Sequence, residues 1–241
     1  MRSFFTTSNR WMLVILAVAA LTTATEVAAS DGGTITGKVV LDGDAPAVTA
    51  LEITVDPDIC GTEKQAEELV VGAGNGVRWA VVELVGVPGE RAAAAEPPIF
   101  DQNGCRFAPH VVIVGAGEQM NVLNNDGVLH NVHSYSEANP AMNVAQPGFR
   151  KSMSVTFESP EAVGVRCDVH SWMSGWIYVT DSPYAMVTDA DGSFSLSGVP
   201  AGTYELKVWH ETLGVQTQQV TVTDGGTVEA GFTLALESAA H

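Results

Sequence analysis

The heptapeptide Cys167-Asp168-Val169-His170-Ser171-Trp172-Met173 places a thiol, an imidazole and a thioether in one C-x2-H-x2-M stretch. A thiolate and two imidazoles in a trigonal set, with a weak axial thioether, form the donor set of blue-copper electron-transfer sites. The sulfur donors favour Cu(I) and imidazole also serves Cu(II), so one site can hold both oxidation states with little rearrangement. The second imidazole has to come from elsewhere in the chain. Upstream lies Asn124-Asn125-Asp126-Gly127-Val128-Leu129-His130-Asn131-Val132-His133, and His130 is the candidate. His133 is the competing choice. The two are three residues apart, so on a regular strand they point to opposite faces. Taken singly, each donor has a plainer reading: Cys167 a disulfide partner, His170 a surface residue, Met173 core filling. The case rests on the four together. The chain has no G-x-S-x-G, no P-loop and no H-E-x-x-H. Its six histidines are too few for a multicopper oxidase.

The elements that must position these donors are strands. Residues 33–41 (GTITGKVVL), 77–87 (VRWAVVELVGV), 110–114, 119–123, 152–157 (SMSVTF), 164–167 and 175–180 are rich in Val, Ile and Thr, with Gly, Pro, Asn and Asp between them. Residues 193–196, 203–209, 215–222 and 227–236 continue the pattern at regular spacing. Short strands with frequent turns predict an all-β sandwich or barrel. Residues 61–69 (GTEKQAEEL) are the best helical candidate, short and polar enough for a surface helix only. Residues 91–98 (RAAAAEPP) read as a loop, and Asp181-Ser182-Pro183 punctuates the chain after the strand ending at Thr180. The expected division is a leader over 1–29, an N-terminal β segment over 30–76, a metal-binding sandwich over 77–180 and a second β module over 181–241.

The His130-Asn131-Val132 phrase after Asn125, followed by C-x2-H-x2-M, resembles the cupredoxins, most closely the amicyanin and plastocyanin type. The resemblance covers roughly residues 77–180. It implies a Greek-key β-sandwich holding one copper ion, Cu(I)/Cu(II), through His130, Cys167, His170 and Met173. It also implies that Asn131 hydrogen-bonds the backbone near Cys167, and that the second histidine, His133, is not a ligand. Leu129 stands where the family often has Pro, and Val165 where an aromatic residue is common. Asp168, beside the thiolate in sequence, is expected to face solvent. With Cys167 given to copper, Cys60 and Cys105 can pair, a closure worth about 4 kcal/mol in the chain-entropy model. The alternative, a Cys167 disulfide, abolishes the metal site. His110 is expected to be a packed strand residue, and His210 structural.

Farther along, Asp189-Ala190-Asp191-Gly192-Ser193-Phe194 and Val199-Pro200-Ala201-Gly202-Thr203-Tyr204 resemble the carboxypeptidase regulatory-like, transthyretin-like β-sandwich family. This implies a structural or docking module without peptidase activity, with the two aspartates in a hairpin turn. Residues 33–41 are similar to that family's opening strand. Two topologies therefore stay open: the cupredoxin unit precedes the module or is inserted into it. The combination is similar to bacterial methylamine-utilisation-type proteins.

Arg2 and Arg10 precede the apolar run Trp11 to Leu21, which is followed by Val27-Ala28-Ala29. This is the pattern of a secretory signal peptide. The run is too short for the roughly 20 residues a membrane-spanning helix needs. The mature chain is expected in the periplasm or outside the cell, without a membrane span. The formal charge of −17 excludes a nucleic-acid binder by bulk electrostatics. Cleavage after Ala29 removes two basic residues and one acidic residue, so the exported surface is more acidic still. That charge would steer a basic redox partner, such as a cytochrome or a periplasmic dehydrogenase. The expected function is a single-electron carrier rather than an enzyme. The alternative is a periplasmic copper-handling protein with no electron-transfer role.

Overall fold

The computed structural model describes Met1 and residues 32–236. The expected signal peptide beyond Met1, including Arg2, Arg10 and the cleavage site, lies outside the described residues, as does His241. Strand Val111–Gly115 (VVIVG) shows the organising principle, because both of its faces are covered. Val112 and Val114 point into one core, while Val111 and Ile113 point into a seam against a second sandwich. Strand Ser174–Thr180 pairs parallel to it and divides the same way. Ile177 and Val179 enter the core, and Trp176 and Tyr178 enter the seam. A strand buried on both faces loses polar alternation and becomes a continuous apolar run.

The first sandwich is built from two facing sheets. One sheet has the order Asn143–Gln146, His130–Tyr135, Glu161–Arg166, Ser174–Thr180, Val111–Gly115. The other has the order Ser152–Thr156, Gln119–Asn124, Ile99–Gln102, Phe107–Ala108. Phe100, Phe107, Met120 and Val122 meet Val132, Val163 and Ile177 between them.

The second sandwich corrects the expected strand allocation. Gly33–Leu41 is its central strand, antiparallel to Ser193–Val199 and parallel to Thr227–Glu229 and Phe232–Leu234. The facing sheet runs Ala185–Val187, Val81–Val85, Gly202–His210, Gly214–Val222. Val81–Val85, expected as the first strand of the 77–180 unit, instead pairs with Gly202–His210 and Ala185–Val187. The reason is again double burial. Val82 and Leu84 fill the second sandwich's own core, and Val81 and Glu83 face the first sandwich. Of the two topologies the sequence left open, strand pairing shows the inserted one: the strands of the first sandwich run from Ile99 to Thr180, between Val81–Val85 and Ala185–Val187.

The seam holds the carboxylate of Glu83, a buried residue. Glu83 accepts hydrogen bonds from the Tyr178 hydroxyl (2.8 Å) and the Thr180 hydroxyl (2.6 Å), and pairs with Lys207. Burial, with the charge of Glu83, pushes the Tyr178 hydroxyl far above its ordinary pKa.

The surface helix expected over residues 61–69 does not form. Ala50–Glu52 and Glu63–Gln65 make a two-stranded ladder instead, and a four-residue helix, Pro57–Cys60, joins them. The Cys60–Cys105 disulfide fastens this segment to the first sandwich. A short polar stretch has little intrinsic helical stability, so tertiary tethering decides its state.

Candidate metal centre

His130 opens the strand His130–Tyr135, whose alternation decides which imidazole turns inward. His130 is fully buried, whereas the His133 side chain is about 30% exposed and bonds the Asp168 carboxylate at 3.0 Å. Cys167 follows the strand Glu161–Arg166, and the loop to Ser174 turns tightly. The Met173 N–H donates to the His170 carbonyl (2.8 Å), and the Cys167 N–H donates to the Met173 carbonyl (3.2 Å). This closed turn explains the spacing: the C-x2-H-x2-M residues bend back on themselves at the end of the sandwich.

The structure brings three of the four predicted donors together. His130 Nδ1 lies 3.8 Å and His170 Nδ1 3.7 Å from Cys167 Sγ. The two imidazole centroids are 4.6 Å apart. Bonds of about 2.3 Å to sulfur and about 2.0 Å to nitrogen at trigonal angles separate the donor atoms by about 3.7 Å, so this spacing fits a metal ion. Met173 is 1% exposed and packs in the same core cluster as Cys167.

The protonation states also suit a metal. Burial opposes the Cys167 thiolate. Hydrogen bonding from His130 and from the backbone at Asn131, His170 and Val169 outweighs it, and the thiol pKa falls. Burial likewise opposes the His130 imidazolium, yet Asp126 and Cys167 raise its pKa to about 9. Burial and the neighbouring His130 charge lower His170, with Asp56 opposing. A soft cation would take the place of the His130 proton between imidazole and thiolate.

Asn131 does what the resemblance implies. Its side-chain carbonyl accepts the Asp168 N–H at 2.6 Å, and its amide donates to Asn143 (2.7 Å) and to the Asp168 carboxylate (3.0 Å). Asp168 is half-exposed, its carboxylate held by His133, Asn131 and Asn143. The other histidines stand elsewhere. His110 is buried, pairs with Glu211, and through its carbonyl accepts the Trp176 N–H (2.8 Å). His210 is buried in the second sandwich.

The sequence reading missed two carboxylates. Asp126 Oδ2 meets His130 Nε2 at 2.9 Å, and Asp56 Oδ2 meets His170 Nε2 at 3.1 Å. The four-residue separation of Asp126 from His130 was a weak local signal. Asp56 lies 114 residues from His170, with no signal in the sequence. Trp172, in the same loop, is only partly exposed and donates its indole N–H to the Cys105 carbonyl (3.1 Å).

Residues 177–235 match the carboxypeptidase regulatory-like domain. Gly33–Leu41 and Val81–Val85, which complete that sandwich, fall outside the matched residues. No curated protein matches the chain. Among solved structures, amicyanin from Paracoccus versutus is 17% identical over 41% of this chain and 97% of its own, with a TM-score of 0.32. A purple cupredoxin from Nitrosopumilus maritimus is 17% identical over 34% of this chain and 99% of its own, at 0.30. A copper-containing nitrite reductase from Thermus scotoductus is 22% identical over 41% of this chain, at 0.32. The chain spans only a quarter of that reductase's length.

Proposed function

We propose that this chain is an exported blue-copper protein that holds one copper ion at His130, Cys167, His170 and Met173 and carries single electrons between redox proteins. The observation that supports this most is the convergence of both Nδ1 atoms on the Cys167 sulfur at 3.7–3.8 Å. Copper, when bound, supplies the one-electron couple between Cu(I) and Cu(II). The chain's own residues hold the donor atoms, exclude water and fix the thiolate. His130, Cys167 and His170 are each at most 2% exposed, which favours a resident ion over one passed between proteins.

On this reading the sandwich between Ile99 and Thr180 is the metal-binding unit, and the module around it is structural or serves docking. The acidic surface would attract a basic partner such as a cytochrome, through a force that weakens with salt. Among the described residues no helix is long and apolar enough to cross a membrane. Periplasmic or extracellular residence follows from the N-terminal sequence pattern.

The test is copper loading of the purified metal-free protein. Stoichiometric uptake should give an intense visible thiolate-to-Cu(II) band, reversible bleaching on reduction, and loss of the band in Cys167→Ser. A colourless copper-loaded protein, or none binding copper, refutes the reading.

A further inference from the structure

Both candidate imidazole ligands lean on carboxylates through the ring nitrogen that faces away from the thiolate. Asp126 meets His130 Nε2 at 2.9 Å and Asp56 meets His170 Nε2 at 3.1 Å. The carboxylates come from opposite ends of one covalent brace. Asp126 accepts hydrogen bonds from the Gly104 N–H and from the Cys105 N–H (2.8 Å). Cys105 is disulfide-bonded to Cys60, whose N–H donates to the Asp56 carbonyl (2.8 Å). The disulfide sulfurs lie within 4.8 Å of a His170 ring nitrogen. The segment carrying Asp56 therefore roofs His170, which is 0% exposed.

We propose that Asp56 and Asp126 are positioning residues for the metal centre, held in place by the Cys60–Cys105 brace, and that together they bias it toward Cu(II). This rests on the copper reading above and goes beyond it. A carboxylate on the outer nitrogen fixes the proton there, leaves Nδ1 bare toward the metal and raises the basicity of the ring. Two added negative charges close to a buried centre stabilise the more positive oxidation state, because burial weakens screening. Breaking such a contact costs roughly 10–100-fold in metal affinity. Here the loss should fall on Cu(II) more than on Cu(I). Each tenfold difference between the two raises a one-electron reduction potential by about 59 mV.

Asp56 has φ 49°, in the left-handed region that Asn and Gly also tolerate. Asp56→Asn therefore removes the charge with the backbone kept, and Asp56→Gly removes the contact without strain. Asp126→Asn is the parallel change at His130.

The experiment compares full-length wild type with these variants. Cu(II) and Cu(I) affinities come from chelator competition, the reduction potential from redox titration, and the His170 tautomer of the metal-free protein from ring nitrogen–proton NMR correlations. The expected result is a selective loss of Cu(II) affinity of about tenfold or more in each Asn variant, with a raised potential. Wild-type His170 should hold its proton on Nε2, and Asp56→Gly should mix the tautomers. Copper uptake with unchanged potentials in both Asn variants, or an unchanged tautomer in Asp56→Gly, overturns this proposal and leaves the copper reading standing. Failure of the wild type to take up copper overturns both.

Discussion

Lowering the pH from 7 to 5 should destabilise this protein through one histidine in the second sandwich. His210 is 1% exposed, and its Nδ1 accepts the Thr212 N–H at 3.2 Å. Burial, opposed by the Arg78 backbone and reinforced by His110, lowers its pKa from 6.5 to about 4. A folded-state pKa below the unfolded value means that the unfolded chain binds the proton first. Stability is then full well above 6.5, falls as the pH drops through the window from 6.5 to about 4, and levels off below it. For these two values the loss between pH 7 and pH 5 is about 2 kcal/mol, and the limiting loss about 3 kcal/mol. His130, raised to about 9, acts with the opposite sign: its contribution is complete below 6.5 and is lost as the pH rises through 9. That contribution is common to wild type and a His210 variant, so it cancels in their comparison. The assay is urea unfolding of metal-free wild type and His210→Gln at pH 7 and pH 5, followed by tryptophan fluorescence and circular dichroism together. The wild type should lose about 2 kcal/mol more than the variant over this interval. Equal losses in the two proteins, within about 0.5 kcal/mol, refute the argument that burial suppresses this charge.

The Cys60→Ser/Cys105→Ser protein should be less stable by about 4 kcal/mol, because the bond closes a loop across a sequence separation of 45 residues; thermal unfolding of the variant beside the reduced wild type checks this. Gly37→Ala should disrupt the second sandwich, since a Cβ there would stand 1.8 Å from the Ala230 carbonyl oxygen. Its readout is loss of the cooperative unfolding transition or a drop in midpoint of several degrees. Glu83→Ala should cost about 1–3 kcal/mol by leaving the buried Tyr178 and Thr180 hydroxyls without their acceptor, measured by urea unfolding. Spectrophotometric titration should find Tyr178 still protonated where an ordinary tyrosine ionises, and Tyr178→Phe should remove that late group.

The sequence by itself determined the strand-rich class and the C-x2-H-x2-M loop, and it separated His130 from His133 without saying which of the two turns inward. These are short-range matters. Alternation on a strand sends residues three apart to opposite faces, and a turn of seven residues can gather its own donors. The Asn131 hydrogen bond was what the family resemblance implied, and the solvent-facing Asp168 was expected because a carboxylate beside a thiolate is unfavourable if it points inward. Residues 61–69 were not legible, because a polar segment of that length takes its conformation from the Cys60–Cys105 bond and a ladder with Ala50–Glu52. Only the tertiary structure assigned Val81–Val85 to the second sandwich. A strand buried on both faces presents the same apolar run to either neighbour, so its sequence does not say which sheet it joins. The carboxylates on the two imidazoles were decided there as well. Asp56 is distant in sequence from His170, and only the tethered roof brings it to the ring. Local periodicity places donors on a face, whereas long-range closure decides what covers them.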